Sequence, residues 1–302
     1  MVNPKEEDIV FGATLHHVKT LRNILKALTI VEDVIFEVDH QGVRITVEEG
    51  HCLQASLFMP QEWFAEYYVK PTEDLTQAPI SFAVNLTSLT GCLKMTSDDD
   101  CKLIIIYCGD IYPLVLAFSG CPDSNIAIEA ELKTKIFRDT LNFHHLAMPP
   151  DYNRIIMNKA SFSDLFSEID VSSGEIEMLL SPQEPYFLLR ATTGKIQAET
   201  TVQVAKTSNS FVSFRCTHSL KLKYRSSHIR FANKCLAFAH SVALTVYTTG
   251  LLSIEILLVN SNPDTTTARR GSATTLGNIP VDDSSMGVLK YFITPLHDDL
   301  EE

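Results

Sequence analysis

Apolar residues along this chain follow two periods. In Leu15–Ile30 they recur at Val18, Leu21, Leu25 and Leu28, the three-and-four spacing of an amphipathic helix. Three shorter stretches carry the same signal. Asn85–Met95 has Asn85 as an N-cap and Leu86, Leu89 and Leu93 on one side; Asn158–Ile169 has Phe162, Leu165, Phe166 and Ile169; Ser226–Leu236 has Ile229, Ala232 and Leu236. Most of the remainder alternates with period two and is rich in β-branched residues, which predicts strands. These are Val34–Val38, Val43–Val47, Leu53–Met59, Leu103–Tyr107, Tyr112–Phe118, Ile176–Leu180, Tyr186–Arg190, Ile196–Val202, Phe238–Tyr247, Leu251–Val259 and Val288–Thr294. Turn dipeptides such as Gln41-Gly42, Gly109-Asp110, Thr193-Gly194 and Thr249-Gly250 separate several of them.

The spacing of these elements carries more information than any one of them. The first and third helices start 143 residues apart, and the second and fourth 141. The strands opening at Val34, Val43 and Leu53 recur at Ile176, Tyr186 and Ile196, shifted by 142 or 143. The chain therefore reads as one helix–strand unit written twice. The predicted organisation is a first domain over 1–131, a connector over 132–150 containing Pro149-Pro150, and a second domain over 151–302. Within the second, Asn260–Gly287 is rich in Ser, Thr, Gly, Asn and Asp and reads as a mobile loop. The acidic tail His297–Glu302 is expected to fray.

Composition refines this picture. At 302 residues, with 45% hydrophobic and 21% charged positions, the chain is globular and of two-domain size. Seven cysteines, an odd number without a C-x-x-C pair, read as reduced thiols packed as small hydrophobes. The charged N-terminus does not resemble a signal peptide, and the apolar run Leu251–Val259 is broken by Ser253 and Glu255, so no membrane span is expected. A net charge of −12 argues against a surface that coats nucleic acid over its whole extent.

The few basic residues are not scattered. Lys19, Arg22 and Lys26 share the polar face of the first helix, and no Asp or Glu occurs between Asp8 and Glu32. Arg230 and Lys234 fall at i, i+4 on the fourth helix, after Lys221, Lys223 and Arg225. The second helix offers Lys94 alone, and the third offers Lys159 against Asp164 and Glu168. One reading is ordinary solvated helix faces; the other is a shared surface meeting a phosphate backbone without reading sequence. Catalytic signals are sparse. Asp98-Asp-Asp100 reads as a solvated loop, His16-His17 and His144-His145 lack partners at zinc spacing, and no phosphate-loop, dinucleotide or nucleophile-elbow motif occurs. No catalytic residue, metal or cofactor is expected.

Several segments resemble a known family. Asn85-Leu-Thr-Ser-Leu89 with Leu93-Lys94, the succession Leu25-Lys-Ala-Leu28 to Gln41-Gly42-Val43, and Gly287–Pro295 resemble the sliding clamp called proliferating cell nuclear antigen. Gly42–Ala55, Tyr112-Pro-Leu, Ser163–Asp170 and Ser181–Phe187 are similar to the Rad-one subunits of the nine-one-one checkpoint clamp. The resemblance implies an α+β sliding-clamp fold, two tandem units with helices on one face of curved antiparallel sheets. It implies a nuclear, heterotrimeric ring around double-stranded DNA, with Rad-nine-type and Hus-one-type subunits as neighbours. An ATP-driven clamp loader would place it, and checkpoint and repair proteins would be recruited to it.

Site residues follow from the same resemblance. Lys19, Arg22, Lys26, Lys94, Arg230 and Lys234 would face the DNA. Pro113, Val115, Ala117 and Phe118 in the first copy, and Lys195, Gln197, Glu199 and Thr201 in the second, would form the edge strands between subunits. Leu53, Ala55, Leu141, Phe143, Leu146, Phe292 and Pro295 would line a groove for partner peptides beside the connector. Two departures stand out: Gly91 replaces a basic residue of the replicative clamp, and the third helix is acidic. A 3′–5′ exonuclease and a homotrimeric replicative clamp remain the alternative readings.

Overall fold

A computed structural model describes residues 8–16, 18–71, 79–95, 101–110, 112–119, 128–136, 143, 147, 151–167, 174–193, 198–204, 211–258, 274–276, 279–281 and 286–296. The first copy runs β1 (Phe11–Leu15), α1 (Val18–Ala27), β2 (Asp33–Val38), β3 (Gly42–Glu49), β4 (Leu53–Pro60), β5 (Glu66–Val69), β6 (Ile80–Asn85), α2 (Leu86–Cys92), β7 (Lys102–Tyr107), β8 (Leu114–Ser119) and β9 (Ile128–Leu132). The second runs β10 (Tyr152–Asn158), α3 (Lys159–Ser167), β11 (Glu175–Leu180), β12 (Phe187–Thr193), β13 (Ala198–Val204), β14 (Phe211–Arg215), β15 (Leu220–Arg225), α4 (Ser226–Asn233), β16 (Ala239–Tyr247) and β17 (Leu252–Leu258). After a small hairpin, β18 (Thr274–Leu276) with β19 (Ile279–Val281), β20 (Gly287–Ile293) closes the chain.

Strand pairing repeats as faithfully as sequence spacing does. In the first copy β1 pairs with β5 and β7, β7 with β8 and β8 with β9, while β2 pairs with β3 and β6, and β3 with β4. In the second, β10 pairs with β14 and β16, β16 with β17 and β17 with β20, while β11 pairs with β12 and β15, and β12 with β13. All of these ladders are antiparallel, and the two pairing patterns are the same. One further ladder, β20 with β4, joins the copies into a nine-stranded sheet ordered β14-β10-β16-β17-β20-β4-β3-β2-β6. The sheets β5-β1-β7-β8-β9 and β13-β12-β11-β15 stand apart from it, one from each copy.

Local chemistry explains the helices. Val18, Leu21, Ile24 and Leu25 bury one face of α1. The Asn85 side chain accepts a hydrogen bond from Ser88 N at 2.9 Å at the start of α2, and Asn158 does the same for Ser161 N at 2.8 Å before α3. The helices come out shorter than periodicity predicts, because Leu93 and Lys94 already lie in turns beyond α2, and Leu236–Phe238 forms a separate 3-10 turn after α4. The main core is continuous through both copies, from Phe11 and Leu25 to Tyr224, Ile254 and Tyr291. The free thiols among the described residues are Cys52, Cys92, Cys108, Cys216 and Cys235. Cys101 is disulfide-bonded, so the expectation of reduced thiols fails at that position. No helix among the described residues is long and apolar enough to cross a membrane.

Candidate functional site

Three of the four helices are linked into one row. α1 packs against α2, and α1 meets the end of α4 where Cys235 Sγ lies 3.9 Å from the Ile24 carbonyl oxygen. That contact joins the two copies, and burial pushes the Cys235 thiol up to about 12, so it stays protonated and packs as an apolar group. A second contact between copies sets His228 Nε2 on α4 3.7 Å from Glu49 Oε2 at the end of β3.

The basic residues lie on this row. Lys19 and Lys26 are exposed on α1 and Arg22 is half-buried, with Lys26 Nζ donating to Asn23 Oδ1 at 3.2 Å. Arg230 is exposed on α4, and Lys234 follows the helix with its Nζ 4.6 Å above the Phe231 ring. Lys94 is exposed just past α2 rather than within it. On α3, exposed Lys159 is offset by exposed Asp164, and Glu168 lies outside the described residues. Among the described residues no group of three or more His, Cys, Asp or Glu is arranged to hold a metal ion.

The edges differ from expectation in one copy. The resemblance puts Pro113, Val115, Ala117 and Phe118 at an edge, but Pro113 precedes β8, and the other three lie in β8, which is paired on both sides by β7 and β9. A strand with both ladders made has no backbone groups left for another chain, so the edge on that side of the sheet is β9, with β5 at the other end. Sequence reasoning missed β9 because Ile128-Glu-Ala-Glu-Leu132 alternates correctly but uses Glu and Ala, which are depleted in strands. In the second copy Glu199 and Thr201 do lie on an edge strand, β13, whereas Lys195 and Gln197 lie outside the described residues.

The expected groove also divides. Leu53 and Ala55 pair with Ile293 and Tyr291 and point into the main core, fully buried. Phe292 pairs with Gln54 and therefore faces the other side of the sheet, since successive side chains alternate. There Phe292 joins Phe143, Tyr247 and Leu251 in a separate apolar cluster, with the Phe143 and Phe292 rings stacked at 6.1 Å. Pro295 is half-buried, and Leu141 and Leu146 lie outside the described residues. Leu53 and Ala55 thus belong to the core rather than to a groove, and the connector's own Phe143 occupies the face that Phe292 presents.

A duplicated α+β chain, its copies joined strand edge to strand edge and with basic residues on and beside α1 and α4, defines a sliding clamp of the proliferating cell nuclear antigen type. Residues 10–258 match the family described as Repair protein Rad1/Rec1/Rad17, and the chain belongs to that family. It is 31% identical over 251 residues to the DNA repair protein Rad1 of Drosophila melanogaster, covering 83% of this chain and 89% of that protein. It is 25% identical over 266 residues to the human cell cycle checkpoint protein RAD1, covering 86% and 90%. The DNA damage checkpoint control protein rad1 of Schizosaccharomyces pombe is 25% identical over 269 residues, covering 83% and 82%.

Proposed function

We propose that this chain is one subunit of a heterotrimeric checkpoint clamp that encircles double-stranded DNA without reading its sequence. The observation that carries this reading is the joint between β20 and β4. Each copy has one strand of the β20 type and one of the β4 type, and inside the chain only one such pair meets. Its counterparts, β9 and β13, end their sheets unpaired among the described residues. Repeating the internal joint between chains extends a row of identical units, and three chains would close it. Long unpaired edges invite association, so a dedicated neighbour on each side is expected.

The neighbours would be Rad-nine-type and Hus-one-type subunits, and an ATP-driven loader would open the ring around DNA in the nucleus. Lys19, Arg22, Lys26, Lys94, Arg230 and Lys234 would line the hole and contact phosphates weakly, while α3 would add little. Topological linkage makes tight binding unnecessary. An acidic exterior would repel stray DNA, which is how a net charge of −12 fits a DNA-encircling protein. Checkpoint and repair proteins would dock where Phe143 now covers Phe292, Tyr247 and Leu251. Size-exclusion chromatography of the three subunits tests the assembly: a single 1:1:1 species is expected, and persistent monomer at micromolar concentration would overturn it.

A further inference from the structure

We infer that Trp63 and Gly287 form a lock that reserves β4 for β20 of the same chain and sets the register of their joint, so that neighbours are met through β9 and β13. This rests on the ring reading above and adds to it the residues that keep the internal joint closed to other chains.

β20 begins at Gly287, which is buried in one row with Leu289, Tyr291 and Ile293. The Gly287 backbone is not left-handed, so space rather than conformation calls for glycine here. A Cβ at this position would stand 2.5 Å from Trp63 Cη2 and 3.1 Å from Cε2. Trp63 cannot step aside. It closes the 3-10 turn Gln61–Trp63 directly after β4 and is 5% exposed. The backbone is tied on both sides of it: Gln61 N donates to the Gln41 carbonyl at 2.9 Å, and Ala65 N to the Thr14 carbonyl at 2.8 Å. The first copy thus fixes the indole, and the second copy supplies the glycine that admits it.

Two consequences follow. Successive side chains alternate, so sliding β20 by two residues along β4 keeps every inward residue inward, and the apolar pattern alone does not reject that slip. The slip that moves Leu289 into the place of Gly287 drives a leucine into the indole. The second consequence concerns other chains. β9 pairs with β8 as β20 pairs with β17, which makes β9 the corresponding strand of the first copy. It reads Ile128-Glu-Ala-Glu-Leu132, and no glycine occurs from Cys121 to Leu132. A β9 strand arriving from a second copy therefore brings a side chain against the indole in any register along that stretch.

Hydrogen exchange on the full chain reads the lock, using Gly287→Val, Trp63→Leu and the double variant. Gly287→Val should open the joint about ten- to a hundredfold more often. The amides that bond β4 to β20 should then exchange faster, while those between β1 and β7 stay unchanged. The double variant should recover most of that loss. Should Gly287→Val not fold, Gly287→Ala should show a smaller change of the same sign. Refolding from urea at high concentration, followed by sedimentation velocity, reads whether β4 is reserved. Wild type should return as monomer, and Trp63→Leu should leave several-fold more oligomer than Tyr224→Phe, a variant weakened in β15 instead. Unchanged exchange in Gly287→Val, no recovery in the double variant, or equal oligomer from Trp63→Leu and Tyr224→Phe would overturn the inference. Adding the other two clamp subunits to wild type tests the ring reading separately, and failure to join them sinks that reading alone.

Discussion

Phe143→Ala should release the connector from the outer face of the central sheet without unfolding the protein. Phe143 is 1% exposed and stacks on Phe292, yet it belongs to a four-residue cluster separate from the main core. Burying a phenylalanine side chain is worth about 3 kcal/mol. Because this energy holds down a connector rather than the sheets, it should appear as local opening instead of global instability. At about 1.4 kcal/mol per tenfold, the open population rises roughly a hundredfold. Limited proteolysis under conditions where reclosing outpaces cleavage reads that population directly. Cleavage between residues 133 and 151 should accelerate by about that factor, with the thermal midpoint nearly unchanged. Phe292→Ala should release the connector too, but should also lower the midpoint, since Phe292 is part of β20. An unchanged cleavage rate for Phe143→Ala would refute the idea that this ring pins the connector. It would also remove the case for a partner site covered by Phe143.

Other expectations follow from particular interactions. Lys19→Ala/Lys26→Ala should weaken binding of the assembled ring to duplex DNA and reduce the slope of log K against log salt by about 0.9 for each phosphate the ring ceases to touch, uniformly across sequences; fluorescence anisotropy over a salt series checks it. Gly287→Ala would place a Cβ within 3.1 Å of Trp63 Cε2 and closer still to the outer edge of the indole, so overpacking of about 1–3 kcal/mol should appear in a urea titration. Tyr224→Phe removes a buried hydrogen bond in which the hydroxyl donates to the Gly250 carbonyl at 2.8 Å, and should cost about 1–3 kcal/mol by the same assay. Burial lowers the His228 pKa from its ordinary 6.5, opposed by nearby Glu49 and reinforced by Arg225. The unfolded chain therefore takes up the proton first. The stability contribution is present above about pH 6.5 and lost as pH falls through the lower folded value, and His228→Gln should flatten that part of the urea-midpoint profile.

The parts of the fold that are legible in the sequence are those where burial writes a period. α1, α2, α3 and α4 appear because one face of each is apolar, and the duplication appears because those faces recur about 142 residues apart. The strands that periodicity does not reveal are β1, β5, β6, β9, β10, β14 and β15, and the hairpin β18–β19 inside the stretch read as a loop; most are short, charged or aromatic, and several lie on edges where one side needs no apolar residue. Missing β9 moves the predicted edge one strand inward, onto Val115 and Ala117. The Leu53 and Ala55 assignment fails for a different reason. Proximity in a strand does not give its face, and only the pairing of Phe292 with Gln54 reveals which side chains share the connector's side. The basic residues of α1 and α4 can be named from sequence, but their adjacency depends on the Cys235–Ile24 contact across copies.

Hydrogen exchange on the full chain, alone and with Rad-nine-type and Hus-one-type subunits added, tests the central claim most directly. The account predicts that backbone amides of Ile128–Leu132 and Ala198–Val204 become protected on assembly, while those of Leu114–Ser119, already paired on both sides, do not change. Assembly without new protection in β9 and β13, or with the new protection falling elsewhere, would contradict it.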